Sequence, residues 1–259
     1  MSLTNSPIDL RNFARELAVG AGEILRTYAQ HARKSVDTKS SSVDLVTDAD
    51  KASEHFLVDA IRNRREDDGI LGEEGTNVPS RSGVQWIIDP LDGTTNFVYS
   101  IPFYAVSVGA YVDGVPTAGA VYNPVLDELY SASTGGGAFL NDIPLQVNAY
   151  GSLDKALVAT GFAYTADTRA EHGNRIARLL PHIRDIRRHG SAALDLCGVA
   201  SGRVDAYVEQ LVQPWDVAAG SVIAAEAGAM VTAWDGSTPL PDVIAAPSPL
   251  YEELRPFLE

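Results

Sequence analysis

The chain has 259 residues, 45% hydrophobic and 21% charged, an ordinary balance for a globular protein able to bury one large core or two smaller ones. Its formal net charge of −14 argues against non-specific nucleic-acid binding, which needs Lys and Arg against phosphates, and no segment approaches the about 20 uninterrupted apolar residues of a membrane span. The single cysteine, Cys197, excludes an internal disulfide, and Met1 to Pro7 lacks the basic start and apolar run of a signal peptide, so a cytoplasmic protein is expected.

Leu10, Phe13, Leu17, Ala21, Ile24 and Tyr28 recur every three or four residues, which predicts an amphipathic helix over 8–30. A second helix is expected from near Asp50, carrying Phe56, Leu57, Ala60 and Ile61, with Asp50 in Thr47-Asp48-Ala49-Asp50 as its N-cap. Ile70-Leu71-Gly72 reads as a short strand that delivers Glu73, and Trp86-Ile87-Ile88 as a buried strand stopped by Pro90, which has no N–H for a ladder. Residues 103–112, 115–123 and 126–132 read as an antiparallel meander, broken at Asp113-Gly114 and Asn123-Pro124. Gly135-Gly136-Gly137 lacks the following Lys-Ser or Lys-Thr of a phosphate loop and reads as a flexible hairpin.

Composition shifts over 146–153, which sets an expected boundary between an N-terminal α+β half, 1–148, and a C-terminal α/β half, 149–259. The second half reads as a strand at 156–160, a helix at 168–180, a strand near 183–188, a helix at about 191–201, a strand at 204–208 and a helix from 215. Alternating elements of this kind place helices on a sheet.

The densest chemistry is Asp89-Pro90-Leu91-Asp92-Gly93-Thr94. Asp89 and Asp92 sit three residues apart at a strand's mouth, Gly93 allows close approach of backbone to a ligand, and Thr94 and Thr95 offer hydroxyls and amides where a helix could begin. Carboxylates for a metal beside amides for an anion suggest metal-assisted phosphoryl chemistry. Read in isolation, the two aspartates could equally cap a turn.

With Gly72-Glu73-Glu74 upstream, Trp215-Asp216 downstream and the stretch from Lys39 to Asp50, the block resembles the inositol monophosphatase family over about residues 8–258. The resemblance implies a layered α-β-α-β-α sandwich of the inositol monophosphatase/fructose-bisphosphatase type, with a metal site between its halves. It implies that Glu73, Asp89, the Leu91 carbonyl, Asp92 and Asp216 bind two or three Mg²⁺ ions, with Mn²⁺ as the substitute suited to the same hard oxygens. Glu73 and Thr94 would activate water, Thr94 hydrogen-bonded to Asp50, while the amides of Gly93 and Thr94 hold the phosphate. Gly190, Ser191 and Ala192 would lie along the substrate's ring, Glu209 would receive its hydroxyls, and Asp92 and Asp216 would bind substrate as well as metal.

The implied activity is hydrolysis of a phosphate monoester, first of all myo-inositol monophosphate. Fructose 1,6-bisphosphate, histidinol phosphate and adenosine 3′,5′-bisphosphate remain alternatives, as does a regulatory interaction protein. A homodimer, sensitivity to lithium and no direct nucleic-acid or membrane partner are expected. Lys39 would hold a loop near the metals, and Ser42 stands where the family often has proline. His189 reads as a structural histidine, Cys197 and Met230 as core, and Arg184, Arg187 and Arg188 as a basic patch too short to offset the acidic balance.

Overall fold

The computed structural model describes residues 4–34, 42–149, 151–163 and 165–258, so Lys39 lies outside the described residues. Helix α1 spans Pro7–Lys34 and buries the stripe Leu10, Phe13, Leu17, Ala21 and Leu25. Helix α2 spans Ser42–Arg64, well upstream of the expected start. Asp50 is therefore inside the helix and caps nothing, a correction to the N-cap reading.

The next elements are β1 (Gly69–Gly72), β2 (Asn77–Val78), β3 (Val84–Asp92), the short helix α3 (Thr94–Val98), β4 (Ala105–Val112), β5 (Val115–Asn123), β6 (Glu128–Ser133), β7 (Gly137–Leu140) and β8 (Ile143–Pro144). They form an eight-stranded sheet in the order β2-β1-β3-β4-β5-β6-β7-β8. Within this sheet, among the described residues, only β1 and β3 pair in parallel. Pro90 does not stop β3. The pairing with β4 jumps from Asp89 opposite Ser107 to Asp92 opposite Ala105, and this irregularity absorbs the residue that cannot donate. The Gly135–Gly137 hairpin is held by Glu226, whose carboxylate accepts from the amides of both end residues at 2.9 Å.

The second sheet takes β9 (Leu157–Thr160), β10 (Asp185–Arg187), β11 (Ala206–Gln210), β12 (Met230–Thr232) and β13 (Asp242–Ala246) in the order β10-β9-β11-β13-β12. Four helices complete the chain: α4 (Ala166–Leu179), α5 (Ala192–Ala200), α6 (Pro214–Glu226) and α7 (Ser248–Leu254). Helices α1 and α2 cover one face of the first sheet, α5 and α6 lie between the sheets, and α4 and α7 flank the outer face of the second. The result is the expected α-β-α-β-α sandwich, with a hydrophobic cluster at each of its inter-layer contacts. Among the described residues no helix is long and apolar enough to cross a membrane.

A buried polar knot anchors β3 to the end of α2. Asp68 accepts from Trp86 Nε1 at 2.8 Å, from Ser82 Oγ at 2.6 Å and from Arg65 Nε, in a setting where charge survives only when fully paired. Helix α6 is sandwiched by close contacts through small residues. A Cβ on Gly109 would stand 2.8 Å from Ala218 Cβ, and one on Gly119 would stand 2.8 Å from the Cα and carbonyl oxygen of Ala219. On the other side a Cβ on Gly220 would stand 2.7 Å from Leu196 of α5.

Because backbone atoms of α6 meet Gly119, no rotamer change can relieve an added methyl. Gly119→Ala is expected to destabilise the fold by about 1–3 kcal/mol. Urea unfolding would read this as a lower midpoint at unchanged slope.

Candidate active site

Strand β3 ends between the two sheets and carries Asp89 and Asp92 there, only 2% and 8% exposed. Asp89 is held by its own turn, its Oδ1 accepting from the Leu91 amide at 3.0 Å. Gly93 follows in the left-handed region, with φ of 89°, and starts α3. A side chain there would crowd the Phe103 carbonyl oxygen at 3.0 Å, so glycine is required on two counts.

Since β1 runs parallel to β3 with Gly72 opposite Ile88, Glu73 emerges beside Asp89, and their carboxyl groups hydrogen-bond. Glu54 of α2 fixes this loop from below. It accepts from the Glu74 amide at 3.0 Å and from Thr76 Oγ1 at 2.5 Å. Glu54 escaped the sequence reading because an acidic residue on an amphipathic helix ordinarily faces water, whereas this one is buried.

The other ligand candidates arrive from the central helices. Asp216 sits in the first turn of α6 and accepts from the Gln213 amide at 2.6 Å, one half of a capping box. Ser191 caps α5 and donates its hydroxyl to Asp92 Oδ2 at 2.5 Å, while the Ala193 amide donates to the same oxygen at 2.8 Å. Asn96 of α3 reaches the segment before α5, its Nδ2 donating to the Phe103 carbonyl at 2.6 Å and to that of His189 at 2.8 Å. On β11, Glu209 accepts from the Tyr207 hydroxyl at 2.6 Å, and only glycine fits at 161, where a Cβ would fall 1.9 Å from the Glu209 carboxylate.

These residues line one cleft of about 450 Å³. It contains Glu73, Asp89, Leu91, Asp92, Gly93, Thr94, Gly190, Ser191, Ala192, Glu209 and Asp216, so the structure brings together every site residue expected from the sequence except Asp50. Asp50 is buried in α2 with its Oδ1 unpartnered, and the Thr94 hydroxyl donates to the Leu91 carbonyl at 3.1 Å. The expected Thr94–Asp50 hydrogen bond is thus absent. His189 bonds through Nδ1 to the buried Asp195 at 2.6 Å and stacks on Phe103, which accounts for it structurally.

Burial, reinforced by neighbouring carboxylates, dominates the electrostatics. It lifts Asp50 and Asp92 to about 8 and Asp216 to about 6, and pushes Asp89 well above the carboxylate range, with Glu73 shifted the same way. Glu209 rises to about 7, again by desolvation, against the lowering effect of the Tyr207 hydroxyl. Among the described residues no three Asp, Glu, His or Cys side chains stand in a ready-made ligand arrangement. Asp92 faces α5 and Asp216 faces the Gln213 amide. In chemistry, however, the donors fit a hard divalent cation: carboxylates that cannot all be charged together beside the Leu91 carbonyl, and no thiolate or imidazole in the cleft lining.

The inositol monophosphatase family profile matches residues 7–256. The inositol-1-monophosphatase SuhB of Mycobacterium tuberculosis is 45% identical, over 98% of this chain and 95% of its own. A solved structure of Mycobacterium tuberculosis SuhB superposes with a TM-score of 0.86 at 43% identity, covering 98% of this chain and 97% of that one. The Nus factor SuhB of Vibrio cholerae is 41% identical, over 88% of this chain and 86% of its own. Sequence, fold and cleft agree: the chain belongs to the inositol monophosphatase family and is a phosphatase.

Proposed function

We propose that the cleft performs Mg²⁺-dependent hydrolysis of a polyol phosphate monoester, myo-inositol monophosphate first, to the free alcohol and inorganic phosphate. The observation that carries this reading is the convergence of Glu73, Asp89, Asp92 and Asp216 on a cleft whose other wall presents Glu209. Those four carboxyl groups and the Leu91 carbonyl would hold the cation. Bound Mg²⁺, or Mn²⁺ in its place, supplies charge neutralisation at the phosphoryl oxygens and activation of the attacking water.

The chain's own residues do the rest. Glu73 orients the attacking water and is the acceptor of its proton, which the Thr94 hydroxyl relays by accepting one proton as it gives up its own. In the structure the Thr94 hydroxyl donates to the Leu91 carbonyl, so Asp50 is not its partner. The amides of Gly93 and Thr94 receive phosphoryl oxygens. Gly190, Ser191 and Ala192 lie along the ring, and Glu209 accepts hydrogen bonds from its hydroxyls. Asp92 links chemistry to binding, because α5 and β3 both bear on it. No phosphoenzyme forms in this scheme, since the carboxylates are engaged with the cation instead of free to attack.

The direct test is phosphate release from a panel of esters with and without Mg²⁺. Turnover of inositol monophosphate that vanishes under chelation supports the reading, and metal-independent turnover overturns it. Asp92→Asn is expected to lower kcat by about 10²-fold or more, the scale of losing one preorganised electrostatic group. Glu209→Gln is expected to lower kcat/KM for inositol monophosphate by about 1–3 kcal/mol. It should leave an aryl phosphate, which lacks the ring hydroxyls, nearly unaffected, and equal losses on both esters would contradict the assigned role.

A pH prediction follows from the raised carboxyl groups. With Asp92 at about 8 in the folded state against an ordinary 3.8, the folded chelated protein holds a proton that the unfolded chain releases. Bound protons then favour the folded state, so the contribution of this group is whole below about pH 4 and is lost as pH rises to about 8. Melting temperatures of the chelated protein should fall across that window, and Asp92→Asn should flatten the fall. Mg²⁺ at about a hundred times its Kd should restore roughly 2.7 kcal/mol.

A further inference from the structure

A second cavity, of about 320 Å³, lies along α6 away from the catalytic cleft. Ile87 of β3 and Tyr111 of β4 wall it on one side, Val231 of β12 with Pro239 and Leu240 on the other. From α6 it receives Pro214, Val217, Ser221 and Ala225, whose spacing of three and four residues is that of one helix face. Trp215 and Asp216 of the same helix line the catalytic cleft instead. The volume falls within the roughly 300–1,000 Å³ range of small-molecule sites.

The polar groups of this cavity say what it would accept. Glu226 is the only charged residue in its lining, and both its carboxylate oxygens are already taken by the amides of Gly135 and Gly137. The Thr134 hydroxyl is likewise bonded, to the Pro116 and Thr117 carbonyls at 3.1 Å. Two hydroxyls remain. Ser221 is 7% exposed and its Oγ is buried without a partner, although a helical serine can give its proton to the carbonyl four residues back. Nothing in the protein therefore holds that rotamer, and one staggered step about χ1 presents the hydroxyl to a molecule at the wall. Tyr111 shares the sheet face of Gly109, which meets α6, and its phenol makes no hydrogen bond with any described residue.

We propose that this cavity binds a small uncharged aromatic molecule, its ring between the apolar walls and beside Tyr111, its one polar atom bonded to Ser221. An anionic counterpart is excluded, because the lining offers no cation and a buried carboxylate without one is costly. The proposal is independent of the phosphatase reading, since the two sites share a helix but no lining residue.

The test titrates the intact protein with 2-naphthol and with 2-naphthoate, following backbone amide shifts by NMR. Naphthol should bind saturably with a Kd at or below about 1 mM, moving the amides of Ser221, Ala225 and Val231. Naphthoate should bind at least about 10-fold more weakly. Ser221→Ala should weaken naphthol about 2- to 10-fold, the range of one neutral hydrogen bond. Ala225→Phe and Thr238→Phe fill the mouth from opposite sides at exposed positions. Each should weaken binding at least about 10-fold while the melting temperature and phosphate release stay near wild type.

Mg²⁺ with inorganic phosphate should leave the naphthol Kd unchanged, and displacement by that pair would place the probe in the catalytic cleft and overturn the proposal. Absence of saturable binding, equal affinity for naphthol and naphthoate, or binding untouched in both folded phenylalanine variants would overturn it as well. So would a change of oligomeric state in those variants without probe binding, which would make this face a protein interface.

Discussion

Everything at the cleft depends on how closely α6 approaches the first sheet. Gly109 and Gly119 on adjacent strands leave no side chain between sheet and helix, so Ala218 and Ala219 meet the backbone directly. Gly220 repeats the device against α5. Close-packed interiors do not yield by fractions of a methyl group, so these contacts set the depth of α6 between the layers. Asp216 is in the first turn of that helix, which makes its approach to Asp89 and Asp92 a consequence of glycines far from it in sequence.

Against this packing works the concentration of like charge. Burial and mutual repulsion both raise the carboxyl groups of the cleft, and the protein answers with amides and hydroxyls. Asp89 is fed by the Leu91 amide, Asp92 by Ser191 and Ala193, and Asp216 by the Gln213 amide. Those donors orient the carboxyl groups while leaving their charge uncompensated, which is the condition under which a hard cation contributes to the fold as well as to chemistry. The cleft reflects this arrangement: Asp89 and Asp92 come from the end of β3, Glu73 from beside them, Asp216 from the start of α6 and Glu209 from β11.

Local pattern served well where one element decided the outcome. The period of Leu10, Phe13 and Leu17 gave α1 its register, and the meander of β4, β5 and β6 followed from turn residues at Asp113-Gly114 and Asn123-Pro124. It failed at α2 and at Pro90, for different reasons. The hydroxyl and carboxyl residues before Asp50 look like a helix start because they compete locally for amides, but the helix runs back to Ser42, and Val46 and Ala49 within it are buried in the cluster that packs on the first sheet. Pro90 looks like a strand end because it lacks a donor, and the irregular pairing with β4 removes the need for one.

The sequence by itself determined the chemistry of this protein: which carboxylates stand at the end of a strand, that a glycine follows them, and that no cysteine or histidine set competes for a metal. Those properties belong to side-chain type and short spacing, which a chain carries before it folds. Only the tertiary structure decided which acidic residues act together. Glu54 became a buried support for the Glu73 loop, Asp50 lost its expected partner in Thr94, and Arg188, one of three arginines in a short basic run, came to lie in the cleft across Gly190. Long-range neighbours of this kind are set by how sheets and helices stack, and stacking is fixed by the volumes of residues such as Gly109, Gly119 and Gly220, whose partners no local spacing reveals.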